Sequence, residues 1–298
     1  MGGLTWLFSM RLTSCPGRTA AASTPRRGVT GWLAALGLCL AVCTSAALAQ
    51  TRPAVTDAGV QPRTFLFVGN SFYYYNNSMH SYFLNLLKAG QPENARDYRA
   101  TSATISGSGF NWHDMESYLK PGSGMASYSF VGDNEVVFNK FDKPFDMVIM
   151  NDCSQCPVHP KLSGMFHEYA KKHSDTIRKY KATPVLFMTW AYQDKPEMTA
   201  QLAEAYTKAG NANKALVIPA GLAFAKALAK KPDLVMYQKD KRHPSLAGTY
   251  LSAATIYSAL YKKQAVAGPA VERLPEDTAA FLRSVAWDTV REYYGDAR

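Results

Sequence analysis

From residue 63 onward, short apolar segments alternate with helical patterns, and this alternation limits the possible folds more than any other feature. Strands are predicted at 63–70, 97–110, 144–152, 183–190 and 214–221. Helices are predicted at 78–90, 162–182, 196–213 and 222–231, in a stretch that follows the loop at 239–245, and at 275–293. Strands that alternate with helices form a mainly parallel sheet with helices on both faces. The sequence therefore predicts an α/β fold.

The carboxyl ends of these strands carry polar or small residues. In open α/β sheets, ligands bind beyond the carboxyl ends of the strands. Four such ends stand out in the sequence: Gly69-Asn70-Ser71, Gly107-Ser108-Gly109, Asn151-Asp152 and Trp190-Ala191-Tyr192. We expect the functional residues to come together at this edge.

The first 49 residues differ in composition from the rest of the chain. They contain four arginines and no Lys, Asp or Glu, and an apolar run ends in Ala47-Leu48-Ala49. A basic segment, an apolar run and a small-x-small ending are typical of a secretory signal peptide. We therefore predict a signal peptide at 1–49, a single domain at 50–298, and export to the periplasm or the exterior without a lasting membrane anchor. A membrane anchor over 28–50 is the alternative.

Charge gives little indication of a macromolecular partner. Loss of the four arginines of the signal peptide lowers the formal net charge from +10 to +6. No basic stripe interleaved with aromatic residues is visible, which argues against nucleic-acid binding. We expect a small-molecule or glycan substrate, and the sequence leaves the oligomeric state open.

Ser71 follows the first strand directly and has two interpretations. Serine is a common helix N-cap. It also suits a nucleophile at a strand end, which requires a base and a group that orients the base. Asp240 and His243 stand three residues apart in the segment KDKRHPS and can supply those two groups. We predict Ser71, Asp240 and His243 as the catalytic residues.

Acyl transfer also requires hydrogen-bond donors for the oxyanion that develops. The backbone N–H of Ser71 is one candidate. Gly107 can bring a second N–H close because it lacks a Cβ atom. Asn151 can offer its side-chain amide. An ordinary turn at Gly107 and an ordinary strand-end amide at Asn151 are the alternatives, and Gly109 can replace Gly107.

These blocks resemble the SGNH, or GDSL-type, hydrolase family. Gly69-Asn70-Ser71 resembles its nucleophile block, Gly107 its glycine block, Asn151 its asparagine block, and Asp240 with His243 its final D-x-x-H. Two differences are that Asn70 stands where the family usually has Asp, and that no Gly-x precedes Asn151. The resemblance implies a flavodoxin-like three-layer α/β/α sandwich and ester hydrolysis through an acyl-serine, with no metal or cofactor.

Cys153 and Cys156 are the only cysteines after residue 49. A redox C-x-x-C pair is one interpretation. In an exported protein a structural disulfide is favoured. We predict a disulfide that stiffens the loop carrying Asn151.

The sequence thus predicts an exported serine esterase. Aromatic residues at the strand ends suggest a carbohydrate substrate with short-acyl, mainly acetyl, esters; we assign Trp112, Trp190 and Tyr192 to substrate binding. An O-acyltransferase acting on a cell-envelope sugar and an inactive carbohydrate-binding protein are the alternatives.

Overall fold

The computed structural model of the protein describes residues 51–123, 125, 128–269 and 273–296. The predicted signal peptide at 1–49 lies outside the described residues. Among the helices of the described part, none is both long enough and apolar enough to cross a membrane.

A five-stranded parallel sheet forms the centre of the domain. The strands of the described residues are β1 (Thr64–Gly69), β2 (Arg99–Thr104), β3 (Tyr128–Gly132), β4 (Glu135–Phe138), β5 (Met147–Met150), β6 (Thr183–Phe187) and β7 (Leu216–Ile218). The sheet has the order β2-β1-β5-β6-β7, and β3 and β4 form a separate antiparallel hairpin. Without the hairpin, the order of the sheet is the flavodoxin-like one.

Helices cover both faces of this sheet. The α-helices of the described residues are α1 (Ser71–Tyr74), α2 (Met79–Gly90), α3 (Met115–Leu119), α4 (Ser163–Lys179), α5 (Met198–Ala212), α6 (Ala220–Lys230), α7 (Leu246–Tyr261) and α8 (Glu276–Tyr294). Local sequence explains several of their ends. Ser245 caps α7 by accepting a hydrogen bond from the N–H of Gly248, and Gly295 ends α8 with a φ of +86°.

The two faces of β1 belong to two different cores. Phe65 and Phe67 pack in the cluster that contains the buried residues of α2, α6, α7 and α8. Leu66 and Val68 point the other way and pack in the cluster formed by α3, α4 and α5. Because alternate residues of one strand serve opposite layers, every position from Phe65 to Val68 must be apolar. The fold is thus the predicted three-layer α/β/α sandwich.

The order of the strands determines where a site can form. The chain leaves β1 toward β2 on one side, and β5 pairs with β1 on the other side. The sheet order therefore reverses between β1 and β5, and ligand sites of such sheets lie at this switch point. The loops that follow β1 and β5 carry Ser71 and Asn151.

Candidate active site

Ser71 is the first residue of α1, directly after β1. The residue that caps this helix is Asn70, whose Oδ1 accepts a hydrogen bond of 3.2 Å from the N–H of Phe72. The Ser71 side chain is therefore free of the capping role that the sequence left open. Its Oγ lies 2.8 Å from Nε2 of His243, within hydrogen-bond distance.

Asp240 completes this arrangement from the loop before α7. Its Oδ2 is hydrogen-bonded to Nδ1 of His243, and its Oδ1 accepts from the N–H groups of Arg242 and His243, each at 3.0 Å. Desolvation alone would raise the pKa of Asp240, but the hydrogen bonds from His243 and from the two N–H groups outweigh it and lower the pKa to about 2. The carboxylate stays ionised at neutral pH, and the structure brings all three predicted catalytic residues together.

Aromatic rings hold the imidazole of His243 on two sides. The ring of Tyr75 stacks on it with centroids 4.2 Å apart and an interplanar angle of 10°. Phe72 meets it edge to face at 5.7 Å. These contacts restrict rotation of the imidazole and favour orientations in which Nε2 faces Ser71. The sequence shows three consecutive tyrosines here but does not reveal which of them contacts a histidine.

The loop that carries His243 is itself tied to the strand ends. The indole N–H of Trp190 donates to the carbonyl of Arg242 at 2.9 Å, and the N–H of Gln193 donates to the carbonyl of Lys241 at 2.9 Å. The N–H of Gln238 closes the loop on the carbonyl of His243 at 2.8 Å. Backbone bonds of this kind fix the base although the loop lies at the surface.

Beneath Ser71 lies a buried network of side-chain amides. Asn70 donates through Nδ2 to the carbonyls of Ser108 and Asp152 at 2.9 and 3.1 Å. Asn151 donates through Nδ2 to Oδ1 of Asn70 and to the carbonyl of Asp152 at 3.3 and 2.9 Å. The network joins the segments after β1, β2 and β5, and thereby fixes the position of Ser71.

The predicted oxyanion role of Asn151 does not agree with this network. Both hydrogens of its amide are engaged within the protein, and the side chain is 1% exposed. The cause is the absence of a side chain at Gly69, where a Cβ atom would lie 1.9 Å from Oδ1 of Asn151. Asn151 fills this space below the end of β1, and an oxyanion role would require its amide to give up one of these two hydrogen bonds.

Gly107 lies in the exposed loop after β2. Its φ is +71°, a conformation that favours glycine, and the neighbouring Ser106 accepts a hydrogen bond of 3.1 Å from the hydroxyl of Tyr74 in α1. Within the described residues, the N–H groups of Ser71 and Gly107 donate no hydrogen bond. Both remain candidate donors to an oxyanion. Gly109, the alternative glycine, is buried, and a Cβ there would lie 2.8 Å from Oδ1 of Asp152.

Asp152 is a buried carboxylate that sequence analysis did not assign. Its Oδ1 accepts hydrogen bonds from the N–H groups of Phe110 and Cys153 at 2.7 and 2.8 Å. Desolvation raises its pKa to about 6, against the lowering effect of these two bonds. Asp152 links the loop after β2 to the loop after β5. Its place at a strand end, next to Asn151, was the signal that could have identified it.

The loop after β5 also contains the predicted disulfide. Cys153 and Cys156 are bonded, with Cα atoms 5.2 Å apart. The N–H of Cys153 donates a hydrogen bond to Oδ1 of Asp152, which connects this loop to the buried network. The bond therefore closes a short turn directly beside the buried network.

Two of the three aromatic residues predicted to bind substrate are buried. Trp190 is 0% exposed because it is stacked between Phe72 at 4.6 Å and Phe224 at 4.2 Å. Tyr192 is 5% exposed, and its hydroxyl lies 2.6 Å from Oγ of Ser154. The prediction for Trp190 is wrong, and Tyr192 presents little surface to a ligand. Trp112, which is 59% exposed, is open to one.

The described residues contain no group of three or more His, Cys, Asp or Glu side chains placed to hold a metal ion. His113 and His173 are both buried, and each makes a hydrogen bond to the segment after β2. His113 binds Oγ of Ser108 at 3.0 Å, and His173 binds the carbonyl of Phe110 at 2.8 Å. Burial lowers the pKa of both, that of His113 to about 4.

No protein-family model and no curated protein matches the sequence. Solved structures do match. A DUF4886 family protein from Bacteroides uniformis has a TM-score of 0.50 at 16% identity, over 78% of this chain and 95% of its own. A candidate SGNH hydrolase from Slackia heliotrinireducens has a TM-score of 0.51 at 20% identity, over 67% and 99%.

A third structure, a candidate GDSL-like lipase from Parabacteroides merdae, has a TM-score of 0.51 at 13% identity, over 70% of this chain and all of its own. At such identities the likeness concerns the fold. The matched chains are covered almost completely, so the likeness extends over the whole sandwich. The protein has the fold of the SGNH and GDSL-like hydrolases.

Proposed function

We propose that the protein is an exported serine hydrolase that cleaves carboxylic esters through an acyl-serine intermediate. The observation that carries this proposal is the connected arrangement of Ser71, His243 and Asp240, with Oγ of Ser71 2.8 Å from Nε2 of His243. A nucleophile, a base and an orienting carboxylate in this order form the machinery of acyl transfer.

The chemistry follows from this arrangement. Ser71 Oγ attacks the ester carbonyl while Nε2 of His243 takes its proton. The imidazolium, stabilised by ionised Asp240, then gives this proton to the leaving alcohol. In the second half, His243 takes a proton from water, whose oxygen attacks the acyl-serine; the bond from the acyl carbon to Oγ of Ser71 then breaks, His243 returns the proton to Oγ, and the carboxylic acid leaves. The N–H groups of Ser71 and Gly107 are the proposed oxyanion donors.

For the substrate we propose short-acyl esters, mainly acetyl, on carbohydrate. Support comes from two exposed aromatic residues, Tyr74 in the same short helix as Ser71, at 39% exposure, and Trp112 in the segment after β2, at 59%. Exposed Tyr and Trp rings combine an apolar face with a polar edge, which suits a wet surface that meets sugar rings.

The experiment compares kcat/KM for 4-nitrophenyl esters from two to sixteen acyl carbons, in the parent protein and in Ser71→Ala. We expect the shortest esters to be preferred and Ser71→Ala to lose turnover by on the order of 10⁴-fold. Acetate release from acetylated glycans measures the carbohydrate part. Turnover of Ser71→Ala within tenfold of the parent would refute the nucleophile, and an optimum at eight or more carbons would refute the short-acyl substrate.

A further inference from the structure

Within the described part of the chain, Arg242 is a cation without a carboxylate partner, and it lies beside Asp240 and His243. It stands between Asp240 and His243 in the chain, and its side chain is exposed. The ion pairs found among the described residues include Lys241 with Asp194 at 3.9 Å and none that involves Arg242. Its charge is thus available to a ligand.

The guanidinium group is nevertheless held in place. It lies over the ring of Tyr192, 4.8 Å from the centroid, and the hydroxyl of Tyr192 is 2.6 Å from Oγ of Ser154. The backbone of Arg242 is fixed at both ends, since its N–H binds Asp240 and its carbonyl accepts from Trp190. A guanidinium stacked on an aromatic face keeps its edge free for two parallel hydrogen bonds to a carboxylate or phosphate.

Its position relative to the reaction identifies the part of the substrate it can reach. The imidazole of His243 stands between Oγ of Ser71 and the oxygen of the leaving alcohol, because it protonates that oxygen. Arg242 precedes His243 directly and lies on the side of the loop after β6. The loops at 188–197 and 239–245 also carry three lysines (Lys195, Lys239 and Lys241) and three carboxylates (Asp194, Glu197 and Asp240), so Arg242 is the charge that makes this side net positive. This side of the site therefore favours a negatively charged alcohol.

We infer that the substrate carries an anionic group, a carboxylate or a phosphate, on its alcohol part, and that Arg242 binds this group. The inference rests on the proposed ester hydrolysis. Arg242 is then a residue that determines specificity, and the preferred substrates are acyl esters whose alcohol part carries a negative charge.

The test uses two acetyl esters that differ in charge, 4-acetoxybenzoate and its uncharged methyl ester. The quantity of interest is the ratio of their kcat/KM values, compared between proteins so that the difference in chemical reactivity cancels. We expect Arg242→Ala to lower the ratio of anionic to neutral ester about fivefold or more, and Arg242→Glu to lower it further, since a charge-assisted hydrogen bond is lost and then repulsion is added. The ratio for Arg242→Lys should lie between those of the parent and the alanine variant. In 0.5 M salt, the ratios of the parent and the alanine variant should differ less.

The matched control is Lys239→Ala, which removes one positive charge from the same loop without removing the stacked group. It should change the ratio less than twofold. An unchanged ratio in Arg242→Ala and Arg242→Glu, or an equal change in Lys239→Ala, would overturn the inference.

A binding measurement keeps this inference separate from the proposed hydrolysis. In Ser71→Ala protein, which should leave the ester intact, calorimetry should show 4-acetoxybenzoate binding several-fold more tightly than in the Ser71→Ala, Arg242→Ala protein. Charge-selective binding without turnover of either ester by the parent would refute the hydrolase but retain the anion site. Turnover without charge selectivity would refute the role of Arg242.

Discussion

Asp240 and Asp152 are two carboxylates at the same edge of the sheet, and their surroundings push their pKa values in opposite directions. The Asp240 side chain is 43% exposed and receives hydrogen bonds from His243 and from two backbone N–H groups, which bring its pKa to about 2 against the effect of desolvation. Asp152 is 3% exposed, and desolvation raises its pKa to about 6 in spite of two N–H donors. The site therefore has two halves: a solvent-facing half with His243 and ionised Asp240, and a buried half with Asp152 and the amides below Ser71.

The two halves differ in how they hold the candidate catalytic groups. In the half with His243, solvent and backbone N–H donors stabilise the charge of Asp240. The half with Ser71 relies on the neutral amides of Asn70 and Asn151, which can satisfy neighbouring carbonyls without the cost of burying a charge. The charge of Asp240 thus lies where solvent and backbone donors stabilise it, whereas the groups in contact with the backbone below Ser71 are neutral amides and the buried carboxylate of Asp152 is ionised only at a cost, which raises its pKa.

The largest expected effect comes from neutralising the exposed half, with Asp240→Asn. Its Oδ1 can still accept the N–H bonds of Arg242 and His243, so the loop should keep its shape. Its amide would donate to Nδ1 of His243 and force the tautomer in which Nε2 carries the proton, which cannot accept a proton from Ser71. We expect kcat on 4-nitrophenyl acetate to fall by on the order of 10⁴-fold.

The control is Asp194→Asn, which neutralises an exposed carboxylate in the loop after β6 that pairs with Lys241. It should keep kcat within about threefold, as surface pairs contribute little. If Asp240→Asn behaved like this control, the charge of Asp240 would have no part in the reaction.

The next effect comes from placing a charge directly beneath Ser71, with Asn70→Asp. The carboxylate would set an oxygen against the carbonyls of Ser108 and Asp152, where Asn70 now donates two hydrogen bonds. Each buried acceptor left without its donor costs about 1–3 kcal/mol. We expect a fall in kcat on the order of 10²-fold and a lower melting temperature.

Asn77→Asp is the matched change, because Asn77 is an exposed asparagine in the turn after α1. Asn77→Asp should change neither kcat nor the melting temperature appreciably. An Asn70→Asp protein with parental activity and stability would show that a charge is tolerated beneath Ser71, and the contrast between the halves would then fail.

The smallest effect on catalysis, but a clear one on stability, is expected for Asp152→Asn. The folded pKa of Asp152 is about 6 and the ordinary value is 3.8, so between these pH values the folded protein holds a proton that the unfolded chain has lost. Stability from this group is therefore present below 3.8 and lost as the pH rises through 6, by roughly 3 kcal/mol.

Asparagine removes the charge but keeps an acceptor for Phe110 and Cys153. The melting temperature of Asp152→Asn, relative to the parent, should therefore be higher at pH 7.5 than at pH 4. The measurement is calorimetry of both proteins at several pH values. A difference in melting temperature that does not depend on pH would mean that Asp152 carries no buried charge.

Much of the fold, and the meeting of the three candidate catalytic residues, were predictable from local pattern. The strands are short apolar runs, and Ser71, Asp240 and His243 stand directly at strand ends or in a polar loop before a helix. Such positions are set by chain order and by the rule that parallel strands end at one edge. For these residues, local sequence and tertiary position agree.

The errors concern residues whose role depends on distant contacts. Trp190 stands at a strand end like a ligand-binding residue, but Phe72 and Phe224, which enclose it, come from other parts of the chain. Asn151 turns inward because Gly69 leaves room for it. The stacking of Tyr75 on His243 and of Arg242 on Tyr192 also joins separate segments. Periodicity reports which residues are apolar but not which partners they meet.

Covalent labelling tests the central claim, that Ser71 is a nucleophile activated by His243, most directly. A 4-nitrophenyl alkylphosphonate is added to the protein, nitrophenolate release is followed, and the digested protein is analysed by mass spectrometry. We expect one nitrophenolate per chain and one phosphonyl group, located on Ser71 within the peptide 64–88. Labelling should be much slower in His243→Ala and absent at this position in Ser71→Ala. A folded protein that stays unlabelled, or that carries the label on another residue, would contradict it.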